Sequence, residues 1–236
     1  MSRRTLILSM VNCAFVLAVV LNAVAQQPAP GAAEKGKGGG KGKAAAARVG
    51  LFFREEWKSD GKEAPITGGN VANPNLELKL YGPTGKEIQI TGAANNETNP
   101  VHAWTGLCTT PCALALRDKT NFVDLSGLSR IRWVTKMSGY HQVRPIVKLA
   151  SGTWLVGDKA DGSATDWLET EFSLADVKWL NLDIENAVTK GVYVPNPDLT
   201  KVDEVGFVDL MPGSGHGAGG WADVGKFEVY GKPVPR

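Results

Sequence analysis

The sequence predicts an all-β chain, a two-sheet antiparallel β-sandwich of jelly-roll type, with about ten strands and little helix. Three observations carry that expectation. The stretch Asp124–Asp158 alternates apolar and polar residues with period two: Ile131, Trp133, Thr135 and Met137 against Arg130, Arg132, Val134 and Lys136. Successive side chains then point to opposite faces, as in a half-buried strand. No segment holds a convincing helical period over ten residues. The apolar runs are short, and Gly, Pro and Asn turns separate them.

In chain order, Arg48–Phe53 is the first expected strand. Leu76, Leu78 and Leu80 alternate with Glu77 and Lys79, and Tyr81–Gly85 turns the chain into Ile88–Ile90, so 75–91 reads as a hairpin. A long polar loop spans Thr91–Cys112, and loops of that length in compact domains are commonly functional. Ala113–Arg117 resumes as a strand. The central stretch supplies three more, jointed at Ser138-Gly139 and Ser151-Gly152. After a polar loop at 158–166, Trp167–Leu174 and Val177–Ile184 read as strands. Val202–Leu210 and Lys226–Tyr230 close the fold around the glycine-rich run PGSGHGAGG.

The two ends of the chain divide it further. Residues 1–25 read as a signal peptide: Arg3 and Arg4, an apolar run from Leu6 to Val24, and the small-x-small site Ala23–Ala25. The arginine pair suits either the general or the twin-arginine export route. Export to the periplasm or the extracellular space is the expectation, with no membrane span left after signal removal. Residues 26–47, built of Gly, Lys, Ala and Pro, cannot bury enough apolar surface to order and read as a disordered tether. The domain is therefore 48–236. Of the chain's 26 basic and 24 acidic residues, the signal takes two arginines and the tether four lysines and one glutamate. From Arg48 onward 20 basic face 23 acidic residues, a net charge of −3 that argues against a nucleic-acid partner.

Two pieces carry a family resemblance. VDLSGLSRIRWVTKMSGY (123–140) resembles a strand-entering segment of galactose-binding-like jelly rolls, which include carbohydrate-binding modules and complex I intermediate-associated domains. VDEVGFVDLMPGSGHGAGGWADVGKFEVYG (202–231) resembles their closing strand pair. The resemblance implies a secreted sandwich. It does not fix a function, because such folds host many.

Chemistry is sparser. In an exported chain, Cys108 and Cys112 are expected to form a disulfide across CTTPC. Trp104 lies in the long loop beside His102 and Asn99, and Trp221 follows the glycine run. A fixed indole among polar neighbours suits stacking on a sugar ring, and it also suits a plug folded back onto the core; both readings stand for each tryptophan. Trp104, His102, Asn99 and Trp221 are the candidate ligand-binding residues. Glu169 and Glu171 share one strand face and, with Asp158 and His141, form the candidate catalytic set of a saccharide hydrolase or lyase. Asp158, Asp161 and Asp166 are oxygen ligands of the kind calcium takes, although their spacing matches no EF-hand loop; no other cofactor is implied. The reading taken is a secreted, non-catalytic module whose partner is a polysaccharide or other glycan. The alternatives are the saccharide-acting enzyme and an interaction protein with no small ligand.

Overall fold

The computed structural model describes residues 49–211 and 220–236. The expected signal peptide and tether, and His216 in the glycine-rich run, lie outside them. The strands in chain order are β1 (Leu51–Glu55), β2 (Ala64–Pro65), β3 (Leu76–Tyr81), β4 (Gln89–Thr91), β5 (His102–Trp104), β6 (Cys112–Asp118) and β7 (Asn121–Asp124). They continue with β8 (Arg130–Ser138), β9 (Val143–Leu149), β10 (Trp154–Gly157) and β11 (Ala164–Ser173). The last four are β12 (Trp179–Asn181), β13 (Val202–Asp209), β14 (Trp221–Tyr230) and β15 (Lys232–Pro235).

Two antiparallel sheets result, as expected. The first runs β11-β8-β14-β5-β4-β2, with β1 also paired to β14. The second runs β12-β10-β9-β13-β6-β3, with β7 on β13 and β15 on β7. Among the described residues, helix is confined to three short 3-10 turns.

The expected hairpin at 75–91 is not formed. β3 pairs with β6 in the second sheet, whereas β4 pairs with β2 and β5 in the first. The turn after Tyr81 and the 3-10 turn Gly85–Glu87 carry the chain over the sandwich edge instead of folding it back. Ser138-Gly139 does the same between β8 and β9, with Gly139 at φ 67°. Ser151-Gly152 is a true hairpin joint: β9 pairs with β10, and Gly152 takes φ 91°, a conformation that favours glycine.

The core lies between the sheets. On β8, Ile131, Trp133, Thr135 and Met137 are buried while Arg130, Arg132, Val134 and Lys136 are half-buried, as the period predicts. Trp133 stacks on Phe227 at 5.9 Å and meets Phe172 edge-on at 5.2 Å. Trp57 and Trp179 also join this core.

The two outer faces differ. On the second sheet the alternate residues Ala113, Ala115, Ile146, Trp154, Val156 and Val208 pack with Leu180, Leu182, Ile184 and Ala187 into a separate apolar cluster. The chain from β12 onward thus covers part of that face, held by the Leu182 N–H bond to the Trp154 carbonyl at 3.1 Å, while Arg144 and Lys148 of β9 remain half-buried beside it. The outer face of the first sheet keeps polar and aromatic side chains, and it carries the candidate site.

Candidate functional site

Register decides which residues share this face. Ala103 on β5, Ala222 and Val224 on β14, and Met137 and Thr135 on β8 point inward. His102 and Trp104, Trp221 and Asp223, and Lys136 and Ser138 therefore point outward. Trp104 stands opposite Asp223, Asp223 opposite Lys136, and Trp221 opposite Ser138. Gln89 of β4 completes the row beside Trp104. Residues far apart in sequence thus meet on one patch.

The Trp104 indole lies against Gly106: a Cβ added there would clash with it, 2.1 Å from Cζ2 and 2.2 Å from Cε2. Only glycine gives the ring that seat. Next to it, the Trp221 Nε1–H donates to Asp223 Oδ2 at 3.2 Å. His102 is buried with both ring nitrogens facing oxygens. Nδ1 lies 2.7 Å from the Pro100 carbonyl, which can only accept, so Nδ1 carries a proton. Nε2 lies 3.3 Å from Asp223 Oδ1. The Trp167 ring meets His102 edge-on at 5.1 Å, and its Nε1–H donates to the Thr98 carbonyl at 3.2 Å. Trp167 thereby ties β11 to the 92–100 loop. Beside this patch opens a cleft of about 360 Å³, lined by Lys136, Ser138, Gly139, Ser163, Thr165 and Trp221.

The structure thus brings His102, Trp104 and Trp221 together. The fourth ligand-binding candidate, Asn99, is exposed in the loop. Its backbone braces that loop, with its N–H on Asn96 Oδ1 at 2.9 Å and its carbonyl on the Ala93 N–H at 3.1 Å. Asp223, Trp167 and Lys136 are additions that sequence reasoning missed. The alternation Trp221-Ala222-Asp223 was a strand signal, hidden because the adjacent glycines read as loop.

The candidate catalytic set does not converge. Glu169 and Glu171 share the outer face, but each is committed to cations. Glu169 lies 2.8 Å from Lys226 and 3.3 Å from Arg132, and Glu171 lies 3.0 Å from Arg130. The Lys226 hydrogen bond and charge hold the Glu169 carboxyl below its ordinary range, the wrong direction for a general acid at neutral pH. Fully buried Glu228 anchors the same ladder, bonding Arg54 at 2.7 Å, Arg132 at 2.6 Å and the Tyr230 hydroxyl at 2.9 Å. Burial alone would raise Glu228, but the hydrogen bonds from Arg132, Tyr230 and Arg54 outweigh it and lower its pKa. His141 lies elsewhere, buried, with Nδ1 2.6 Å from Asp209 Oδ2. Asp209 Oδ2 also accepts from the Thr105 hydroxyl at 3.0 Å.

The three aspartates weighed as calcium candidates are likewise separately employed. Asp158 accepts from the Lys178 N–H at 2.8 Å, and Asp166 from the Trp167 N–H at 2.7 Å. Asp161 is buried and accepts from the Trp133 Nε1–H at 2.8 Å and the Thr135 hydroxyl at 3.0 Å. Among the described residues no three metal-ligating side chains cluster.

The expected disulfide is not formed in this structure, where Cys108 and Cys112 are neighbouring, buried thiols. Cys112 opens β6 inside the core, and the Cys108 thiol turns to the Thr84 carbonyl at 3.5 Å. Burial, and then the neighbouring Cys108 thiol, push the Cys112 pKa up, so little reactive thiolate forms. Native protein should therefore resist iodoacetamide, and unfolding in denaturant without reductant should expose two alkylatable thiols. If reductant were needed as well, the thiols would be bridged after all.

No family model matches the chain, and no curated protein matches it in sequence. Among solved structures it is similar to the family 11 carbohydrate-binding module of a cellulosomal cellulase of Clostridium thermocellum, at 14% identity over 79% of this chain and 97% of that one, TM-score 0.45. A family 11 module from Clostridium thermocellum in complex with a β-1,3-1,4-mixed-linked tetrasaccharide gives 14% identity, coverages of 74% and 98%, and TM-score 0.43. TmCBM61 in complex with β-1,4-galactotriose gives 11% identity, coverages of 66% and 88%, and TM-score 0.36. The two-sheet sandwich itself is established by the strand pairing above. Among the described residues no helix is long and apolar enough to cross a membrane.

Proposed function

We propose that this domain is an exported, non-catalytic module that binds an uncharged polysaccharide on the outer face of its first sheet. The observation that carries the reading is the seating of Trp104 on Gly106, in one cross-strand row with Asp223 and Lys136 and with Trp221 in the next row of the same face. A sugar ring offers a flat C–H face to a fixed indole and hydroxyls to the groups around it, and a pre-set ring loses little entropy on binding. The aromatic pair, the convergent polar groups and the open cleft are the features a small-ligand site combines. A net charge of only −3 from Arg48 onward, and the tether expected over residues 26–47, suit capture of neutral polymer outside the cytoplasm.

The test is calorimetry on a panel that includes β-1,3-1,4-glucan and β-1,4-galactan oligosaccharides, with an assay for released reducing ends. Binding without hydrolysis, little changed by salt, is the expected result. Trp104→Ala should lower affinity by roughly 1–2 kcal/mol, the scale of an aromatic contact plus its buried area. Gly106→Ala should act in the same direction, because it displaces the ring from its seat. Both variants should melt close to the wild type. Release of reducing ends would restore the enzyme reading, and failure of the whole panel would leave the tryptophans as plugs.

A further inference from the structure

Another cleft opens on this face, next to the row of Trp104, Asp223 and Lys136, and a bulge in β14 makes it. Val224 stands opposite Thr135 and Phe227 opposite Trp133, so Gly225 and Lys226 together face the single residue Val134 of β8. Lys226 turns away to Glu169 at 2.8 Å, and Gly225 has no side chain, which leaves the floor bare. The opening measures about 480 Å³. It is lined by Val134 and Gly225 of the sheet, Trp57 from the chain after β1, and Ala94, Asn95 and Val101 ahead of β5. Ala94 and Asn95 are exposed while Val101 and Val134 are half-buried, so solvent reaches the floor. The wall is held in place: the Trp57 indole N–H donates to the Val224 and Gly225 carbonyls at 3.0 and 2.6 Å. Trp57 takes φ 50° and Asn95 φ 63°. For a tryptophan that is strain, which persists where the surroundings enforce it and clusters at ligand-binding positions. Glycine inside a strand weakens it and often marks the close approach of a ligand. Here packing does not demand it, since an added Cβ would meet no atom nearer than 3.5 Å.

We propose that this cleft is a second sugar subsite, so that the ligand is an extended stretch of a neutral linear glycan rather than one terminal sugar. The proposal rests on the carbohydrate reading and adds the length of chain that the site takes. Continuity along the strands supports it. The outward residues of β8 run Ser138, Lys136, Val134; the first two line the cleft beside Trp221, and the third floors this one. Two residues of strand span about 7 Å, so the two clefts adjoin. On β14, Trp221 and Gly225 mark the same two places. The aliphatic atoms of Val134 and Val101 suit the C–H face of a ring, and the exposed Asn95 amide offers hydroxyls both a donor and an acceptor. The charged residues of the rim are already paired, Lys226 with Glu169 at 2.8 Å and Glu56 with Arg54 at 3.9 Å. That favours a neutral chain over a charged one. A chain held at the tryptophans reaches the second subsite at high effective concentration, so even a modest contact there raises affinity.

The probes are β-1,3-1,4-glucan and β-1,4-galactan oligosaccharides, each as a series from disaccharide to hexasaccharide, titrated by calorimetry with melting temperatures measured alongside. On wild type the hexasaccharide of whichever series binds should be at least about tenfold tighter than its disaccharide. Gly225→Val fills the floor and should remove most of that gain at an unchanged melting temperature. A second measurement does not depend on that variant folding. Ala94→Cys can carry a small trifluoromethyl label, since Cys108 and Cys112 are buried, and its fluorine resonance should shift when the hexasaccharide binds. A hexasaccharide no tighter than the disaccharide, a folded Gly225→Val with the full gain, or a label silent at saturation would each overturn the second subsite while the carbohydrate reading survived. If wild type bound no glycan of the panel at any length, both would fall together.

Discussion

Trp133→Ala should destabilise the domain by about 3–5 kcal/mol, the range for emptying a large aromatic site in a packed core. The side chain is fully buried, stacked on Phe227 and edge-on to Phe172, so its removal leaves a cavity on two sides. It also strips buried Asp161 of the indole N–H at 2.8 Å, leaving the Thr135 hydroxyl as its remaining side-chain donor. For a domain of this size the melting temperature should fall by roughly 6–20 °C. Trp133→Phe separates the two contributions, because it keeps most of the ring packing and loses only the bond to Asp161. Urea unfolding of the pair measures both. A Trp133→Ala midpoint within experimental scatter of wild type would mean that this indole is not a core element. The contrast with Trp104→Ala, expected to change binding and not melting, separates the two roles of tryptophan in this chain.

Gly206→Ala should be nearly as damaging, at about 3 kcal/mol, the upper end of the overpacking range. Gly206 sits in the middle of β13, between Ala115 of β6 and Ile146 of β9. An added Cβ would lie 2.6 Å from the Ala115 Cα and closer still to the Leu114 carbonyl oxygen. Both are backbone atoms, which cannot swing aside as the end of a long side chain could. The ladder joining β13 to β6 would have to part or shear. Soluble yield and the urea midpoint report the result, and an unchanged midpoint would show that the strand yields without cost. At Gly106 the nearest atoms an added Cβ would meet belong to the Trp104 side chain rather than to backbone, so the effect of Gly106→Ala should appear in binding, through displacement of that ring.

These two positions also mark what the sequence disclosed. The alternation around Trp133 was legible because period two reports directly which residues face inward, and nine consecutive residues of β8 obey it. The same period cannot say which sheet a strand joins. Leu76–Leu80 and Ile88–Ile90 alternate as hairpin arms would, yet they belong to opposite sheets, because the turn geometry after Tyr81 is set by tertiary packing. β5 has three residues, too few to show any period, so His102 and Trp104 read as loop. That is why their proximity to one another was seen and their pairing with Asp223 was not. The cysteine pair is different again: spacing and an expected export favour a bridge, but they carry no information on how the two thiols are oriented.

The covered part of the second sheet's outer face has a practical corollary for the proposed function. With Leu180, Leu182 and Ile184 packed on that flank, the proposed glycan face lies on the opposite side of the sandwich. A copy that binds there and nowhere else would coat a fibre or a gel strand without holding two strands together. It would behave as a label on the polymer rather than as mortar between chains, and a solution of long glycan would stay fluid around it.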